Sequence, residues 1–343
     1  SQHPRGAMTN WFELLTGFTE TREDVRTQLE VVGTELRSKV NGRAYGIGTF
    51  EMASLAELRA RVAAGTGAVG APRVSIVQGD VGEMHRATEY GGALFQVASQ
   101  FNALEMPNPG VTPEHGVTGY LHDHTQGPAC AMAAGAATIY RNYFVPVEHV
   151  VGQSAQRQLD GLADIGNELS RALGRPVPAL WDWCNGYALC TRDGLELITK
   201  HLGRIDQKGL HALAGVLRMG LHADVEVTAG EEPRQFVSQA FCSALPVAYG
   251  HLPQALWADF ATLVLDAAYE ATLLQGVLNA RRGASKIVLL TLLGGGAFGN
   301  ARNWIHDAIR RAMARVANFD LDVRIVSYGP PSSSLLALAR ELA

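Results

Sequence analysis

Apolar residues recur along this chain in two rhythms, and the rhythm changes mark its elements. The segment SLAELRARVAA, 54–64, opens with Ser54 and Glu57 at capping-box spacing and then repeats apolar side chains at helical intervals, which predicts a helix. Before it, TREDVRTQLEVVGTELRSKV, 21–40, reads as a polar, helix-prone stretch, and RAYGIGTFEM, 43–52, as a strand. PRVSIVQGDV, 72–81, and GALFQVAS, 92–99, are short and largely apolar, as buried strands are. GPACAMAAGAATIYRNYF, 127–144, is helix-prone, and the pattern from about 151 to 240 is mostly helical, broken by the strand-like NGYALCT, 185–191, where Asn185, Gly186 and Tyr187 read as a hairpin turn with a possible substrate-side role.

Near the C-terminus the helical LWADFATLVLDAAYEATLLQGVLNA, 256–280, precedes KIVLLTLL, 286–293, a buried strand. ARNWIHDAIRRAMARVA, 301–317, then puts Trp304, Ile305, Ala308, Ile309, Ala312, Met313 and Val316 on one helical face, with Asn300 in the N-cap position. LDVRIVSYG, 321–329, reads as the last strand. Strand, loop, helix, strand is a βαβ unit, so the expected fold class is α/β, a parallel or mixed sheet covered by helices.

The first loop of that unit is unusual. LLTLLGGGAFGN, 289–300, places Gly294, Gly295, Gly296 and Gly299 between a buried strand and a helix. Two readings stand: the glycines permit close helix–sheet packing, or their main-chain amides approach a ligand, for which phosphate at a helix N-terminus is the usual guest. No Lys-Ser or Lys-Thr follows, so the loop is not a P-loop. GTGAVG, 65–70, satisfies GxGxxG but follows a helix and precedes a strand, the reverse of the dinucleotide-binding order, and reads as a connection.

Composition narrows the ligand. The 343 residues are 47% hydrophobic with a formal net charge of −4, and Lys and Arg are scattered, so a small anion held by a local site fits better than a polymer or a membrane surface. Cys130, Cys184, Cys190 and Cys242 lack CxxC spacing and read as reduced thiols. The leading SQHPRGA reads as an expression-tag remnant at 1–7, leaving 8–343 as one domain with a helical insertion at about 151–240. With Asp266 and Glu270 inside its longest apolar stretch, the chain is expected to be a cytoplasmic protein that does not engage a membrane.

The connection 102–127, rich in Pro, Gly, Asn and His, reads as too irregular for core and as the place for chemistry. His122, Asp123, His124, Thr125, Gln126 and Gly127 precede a small-residue helix with Pro128 in its first turn. They suit a phosphorylated ligand, with Gln126 and Gly127 as contacts; equally, Asp123 or Thr125 caps the helix and the histidines are solvated. A metal site on His122, Asp123 and His124 has no recognisable third ligand type at fitting spacing, and no metal or cofactor is expected. Asp160 and Asp164, at i and i+4, read as a solvated helix stripe, and Trp181 and Trp183 as packing.

Two motifs carry a family resemblance. IVQGDV, 76–81, resembles the opening strand of macrodomains, and LLTLLGGGAFGN resembles their second phosphate loop in the Gly-Ala-Phe-Gly form of poly(ADP-ribose) glycohydrolases. The resemblance covers 72–145 and 285–330, and it implies a macrodomain-like three-layer α/β/α mixed sheet that binds ADP-ribose or a close derivative. It implies Asp80, beside Val81, against the adenine amino group, and Gly294, Gly295, Gly296, Ala297, Gly299 and Asn300 around the diphosphate. It further implies Phe298 along the distal ribose, Tyr328 against the adenosine, and Asn102, in ASQFN, as the ribose-contacting amide. The chain departs from the pattern in lacking the glycine triplet after Asn102 and the tandem Glu-Glu of the glycohydrolases.

The implied activity is hydrolysis of an ADP-ribosyl glycosidic bond, whose oxocarbenium-like transition state calls for a carboxylate. Asp123 is the first expectation; Glu105 and Glu114 on the same connection are alternatives that also read as surface carboxylates. The implied partner is ADP-ribose or an ADP-ribosylated substrate, a nucleic acid only if it carries the modification. Rival readings are a binding module without turnover and a metal-dependent hydrolase. Oligomeric state stays open.

Overall fold

The computed structural model of the chain describes residues 9–343, so the expected tag remnant lies outside the described residues. Seven strands build the central sheet: β1 (Thr49–Ser54), β2 (Arg73–Gln78), β3 (Leu94–Ala98), β4 (Arg218–Glu226), β5 (Phe236–Cys242), β6 (Ile287–Leu290) and β7 (Asp322–Ser327). Their order is β1-β4-β5-β3-β6-β7-β2. The five strands from β5 to β2 are parallel, while β4 runs antiparallel to both β1 and β5, so the sheet is mixed.

Strand alternation sorts the core onto two faces. Leu94, Ala240, Val288 and Leu290 face one helical layer that includes Leu55–Ala64, Gln254–Arg281 and Arg302–Arg315. Phe95, Val97, Phe241 and Leu289 face the other, where Val81–Arg86, Gln126–Ala133 and Gly135–Tyr143 lie. This is the expected three-layer α/β/α arrangement. The capping box at Ser54 and Glu57 is present with both of its bonds, and the apolar face of Arg302–Arg315 is buried from Ile305 to Met313. Among the described residues no helix is long and apolar enough to cross a membrane: Glu270 and Asp266 of the 28-residue helix pair with Arg59 and Arg311.

Several expectations are corrected. Residues 21–40 form a helix only over Arg22–Gln28; Leu29–Val32 and Glu35–Ser38 pair as a hairpin around Gly33, whose φ of 60° suits the turn. Val31 and Val32 favour extended backbone, and burying Leu29 and Leu36 decides the case. The helical insertion is shorter than 151–240: its helices run from Ala163–Leu173 to Gln207–Gly215, and β4 and β5 belong to the central sheet. Polar residues inside those strands, His222, Ser238 and Gln239, masked them; all three are buried and hydrogen-bonded. Asp160 is not on a solvated stripe: it precedes the helix, and burial lifts its carboxyl to about 6.

Candidate functional site

Parallel strands β3 and β6 pair at only two positions, Leu94 with Val288 and Phe95 with Leu289, and then splay apart. Two glutamines occupy the gap. Gln126 accepts from the amide of Ala98 and donates to the carbonyl of Gln96; the Gln96 side chain accepts from the amide of Thr291 and donates to Thr272. The main-chain groups freed by the split are thus satisfied, and a cleft opens beyond the carboxyl ends of the parallel strands, where α/β sheets bind ligands.

The cleft has two lobes that share Thr125, Gln126, Thr291, Leu292 and Gly296. The larger, about 590 Å³, is lined by Asp80, Val81, Gly295, Asn300, Arg302 and Tyr328, with His124 and His306. The smaller, about 300 Å³, is lined by Gln100, Glu105, Asp123, Gly127, Gly294, Ala297 and Phe298, with Tyr187 and Tyr249. Most of the anticipated residues therefore meet at one place. Asp80 and the glycine loop, 214 or more positions apart in sequence, border the same lobe.

The glycine loop is open on its cleft side. Gly294 and Gly299 adopt φ of 76° and 69°, and the loop closes on itself through Asn300 N to Gly294 O and Gly299 N to Gly296 O. The amides of Gly294, Gly296, Ala297 and Phe298 have no protein acceptor among the described residues, nor do those of Gln126 and Gly127 at the start of the facing helix. Six unpaired main-chain donors around one cleft favour an anion. Gly299 shapes the turn but lines neither lobe. Asn300 is not the N-cap; Ala301 is, and Asn300 is buried, donating to Leu245 O while its Oδ1 finds no partner.

Asp80 caps the helix Val81–Arg86 by accepting from the amide of Glu83 through Oδ1, which leaves its other oxygen available beside the larger lobe. Tyr328 is 80% exposed at the mouth of that lobe. Arg302 and His306, which sequence reasoning missed, reach the lobe from the first turns of the helix after the glycine loop; burial and the neighbouring Arg302 and Arg310 shift the His306 imidazole down, so Arg302 brings the lobe its positive charge. Their spacing on one helical face with Ile305 was the available signal.

The connection 102–127 is not wholly outside the core. From Asn102 to Met106 every residue is buried, and its main chain is held at almost every polar group. Asn102 O accepts from Gln153, Ala103 O from Arg141, and Met106 O from Tyr187; Leu104 N donates to Asn102 Oδ1, Glu105 N to Tyr120 Oη, and Met106 N to Gln100 Oε1. Ala103 sits at φ 60°, a conformation that persists only when its surroundings over-determine it. Asn102 itself, expected as the ribose-contacting amide, is fully enclosed and lines neither lobe: its amide donates to Gln158.

What this seat presents is Glu105. Far from being a surface carboxylate, it is 5% exposed; its Oε1 has no hydrogen-bond partner, and it lines the smaller lobe. Burial holds its carboxyl well above the usual carboxylate range; buried Arg141 opposes the shift and nearby Asp123 adds to it. Arg141 is itself depressed by burial to about 10 and is bound to Ala103 O, His222 and Thr138. Asp123 is partly exposed and accepts from the amide and hydroxyl of Thr125, so it steadies the turn before the helix as well as lining the lobe. Glu114 accepts from Ala155 N and lines neither lobe. Among the described residues no group of three or more His, Cys, Asp or Glu is placed to hold a metal ion, and His122 lines neither lobe.

The hairpin Trp181–Cys184 and Tyr187–Cys190 turns at Asn185 and Gly186, both with positive φ, as expected of that sequence. Its turn docks on the carboxylate segment: Gly186 O accepts from Phe101 N, and Asn185 bonds Gln158 and Pro109 O. Tyr187, Tyr249 and Phe298 form a ring cluster with centroids 5.1–5.5 Å apart, joining the hairpin to the glycine loop.

No family model and no curated protein matches the chain. Among solved structures, it is similar to poly(ADP-ribose) glycohydrolase from Thermomonospora curvata bound to the inhibitor ADP-HPD, at 13% identity and a TM-score of 0.43, over 93% of this chain and 95% of that one. It is also similar to poly(ADP-ribose) glycohydrolase from Deinococcus radiodurans in complex with ADP-ribose, at 13% identity and a TM-score of 0.45, over 86% of this chain and 94% of that one.

Proposed function

We propose that the chain binds ADP-ribose in the two-lobed cleft and hydrolyses the glycosidic bond that joins it to an acceptor, with Glu105 as the general acid and base. One observation carries the reading: a buried carboxyl with an unpartnered oxygen lies in a lobe continuous with six unpaired main-chain amides. The amides suit a diphosphate, and a carboxyl held protonated by burial suits a leaving group that needs a proton.

On this reading the adenosine end fills the larger lobe, with Asp80 accepting from the adenine amine and Tyr328 against the ring or its ribose. The diphosphate lies over Gly294–Phe298 and the start of Gln126–Ala133, and the distal ribose enters the smaller lobe. Glu105 gives its proton to the leaving atom as the C1″ bond opens; the resulting carboxylate then orients water toward C1″ and takes its proton. The rigid seat of residues 102–106 fixes that carboxyl before substrate arrives, which is where preorganisation contributes most. A binding-only role would give the buried, unpaired Oε1 of Glu105 nothing to offset its desolvation.

The test pairs calorimetric titration of ADP-ribose with an assay of ADP-ribose release from ADP-ribosylated protein, comparing the parent with Glu105→Gln. Binding by both and release by the parent alone is the expected result. Binding without release by either leaves a reader module, and no binding at millimolar ligand removes the reading altogether.

A further inference from the structure

From the chemistry of the smaller lobe, and resting on the reading of Glu105 as the acid, we infer that the acceptor is a guanidinium: the bond broken joins ADP-ribose to an arginine side chain. A general acid must reach the atom it protonates, so the first atoms of the acceptor lie in the lobe that Glu105 lines. That lobe is lined by two carboxyl groups, Glu105 and Asp123, and among the described residues by no Lys, Arg or His. The cleft's cationic and imidazole side chains, His124, Arg302 and His306, all line the other lobe. Arg141 does not compensate, since it is 1% exposed, occupied by its own acceptors and absent from the lobe wall.

The remaining wall is aromatic and apolar. Tyr249 and Phe298, partly exposed, stand edge to face at 5.5 Å, with Tyr187 behind them. Ring faces beside the Asp123 carboxylate favour a flat, weakly hydrated cation, which describes guanidinium better than ammonium. A phosphate-bearing acceptor, such as the next unit of a polymer, would instead meet Asp123 with no counter-charge at hand. The glycine loop's donors do not alter this, because the diphosphate of the ADP-ribose already occupies them.

The step balances with water alone. The C1″–N bond breaks and its electron pair goes to the guanidine nitrogen, which takes the Glu105 proton to become the guanidinium of free arginine. Water then bonds through oxygen to C1″ and returns a proton to Glu105, leaving ADP-ribose.

Four substrates test the assignment on the whole chain: an ADP-ribosyl-arginine peptide, an ADP-ribosyl-serine peptide, an oligonucleotide ADP-ribosylated on a base, and poly(ADP-ribose). We expect kcat/KM on the arginine-linked peptide to exceed that on each of the others by about tenfold or more, the equivalent of one good cation–π or charge contact. The preference should shrink in Asp123→Asn, mainly through KM, because asparagine can still accept from Thr125 while the charge is gone. It should also fall as salt is raised. Equal or faster release from any other substrate overturns the arginine assignment and leaves ADP-ribosyl hydrolysis standing. No release from all four, with ADP-ribose still bound, overturns hydrolysis and this assignment together.

Discussion

The carboxyl of Glu105 rests directly against Gly127: a Cβ on Gly127 would lie 2.2 Å from Glu105 Oε2 and 2.1 Å from Ala98 O. The glycine at the second position of the helix Gln126–Ala133 is therefore a requirement of the carboxyl's seat rather than of helix formation. Gly127→Ala should displace Glu105 or the helix start and cost about 1–3 kcal/mol, as overpacking does. Since the methyl competes for the space of the proposed acid, the loss of turnover should exceed what the drop in stability explains. Chemical denaturation alongside initial rates measures both, and an active, equally stable Gly127→Ala would contradict the placement.

Glu105→Gln separates chemistry from folding. Without a titrating acid, release of ADP-ribose should fall about 10²–10⁴-fold, the usual worth of a general acid–base residue. Affinity for free ADP-ribose should change little. The variant should also be the more stable protein as pH rises above 4.5, the ordinary value, because a carboxyl raised by burial holds its proton in the folded state after the unfolded chain has lost it. Stability differences at pH 4, 6 and 8 check the sign; a gap that narrows with rising pH would refute the buried, unpaired carboxyl. Asp123→Ala, by comparison, should retain measurable turnover, since Asp123 lies partly in solvent and braces Thr125.

Tyr187→Phe tests whether the inserted region serves the site. The substitution keeps the ring beside Phe298 and Tyr249 and removes only the hydroxyl that donates to Met106 O. Leaving that buried carbonyl unpaired should cost about 1–2 kcal/mol. If the bond positions Glu105, kcat should fall several-fold and the alkaline limb of the pH–rate profile should move, while ADP-ribose affinity stays put. An unchanged pH profile would assign Tyr187 to packing alone.

The sequence made the frame of this site legible because its signals are local. The capping box at Ser54, the apolar face of Arg302–Arg315 and the Asn185-Gly186 turn each depend on residues within one turn of one another. The two motifs at 76–81 and 289–300 likewise pointed to the cleft. Glu105 ranked only as an alternative to Asp123, and read equally as a surface carboxylate, because its burial comes from distant partners: Tyr120, Arg141, Gln153 and Tyr187 hold the segment, and the spacing of none of them announces it. Strands β4 and β5 escaped for a related reason, since His222 and Gln239 look like surface residues until Arg141 and Cys130 O are seen to bond them. Asn102 illustrates the converse: a polar amide in the expected place is engaged by Gln158 and Leu104 and lines neither lobe.

The glycines of the 294–299 loop, indistinguishable in sequence, divide in the structure into positions where a side chain would clash and positions open to the cleft. Gly294 has φ 76°, and a Cβ there would lie 2.4 Å from Ala244 Cβ; Gly296 has no atom within 4 Å of such a Cβ and lines both lobes. Gly294→Ala should therefore destabilise the chain by about 2 kcal/mol or more, combining a left-handed backbone with a clash. Gly296→Ala should leave the melting temperature nearly unchanged yet weaken ADP-ribose binding, because a methyl there adds bulk where the two lobes meet without touching the protein. Calorimetry on the two variants decides; unimpaired binding by Gly296→Ala would move the diphosphate elsewhere.

His85 gives the helix beneath Asp80 its own dependence on pH. The imidazole is fully buried, stacks on Phe95 at 3.8 Å, donates through Nδ1 to Val81 O and accepts from Gln239 at Nε2. Burial lowers it to about 4, against an ordinary 6.5. Between those values the unfolded chain takes up a proton that the folded chain refuses, so the stability His85 contributes is complete above 6.5 and is lost as pH falls toward about 4. Glu105 and Asp160, raised by burial, act with the opposite sign in part of that range, so the parent's own curve mixes the terms. The difference between parent and His85→Gln removes them: the parent's advantage at pH 8 should narrow steadily through pH 6 and 5. ADP-ribose affinity should follow the same course if the helix Val81–Arg86 carries Asp80 to the ligand. A stability gap that stays constant from pH 8 to 4.5 would mean that His85 titrates normally and is not sealed beneath that helix.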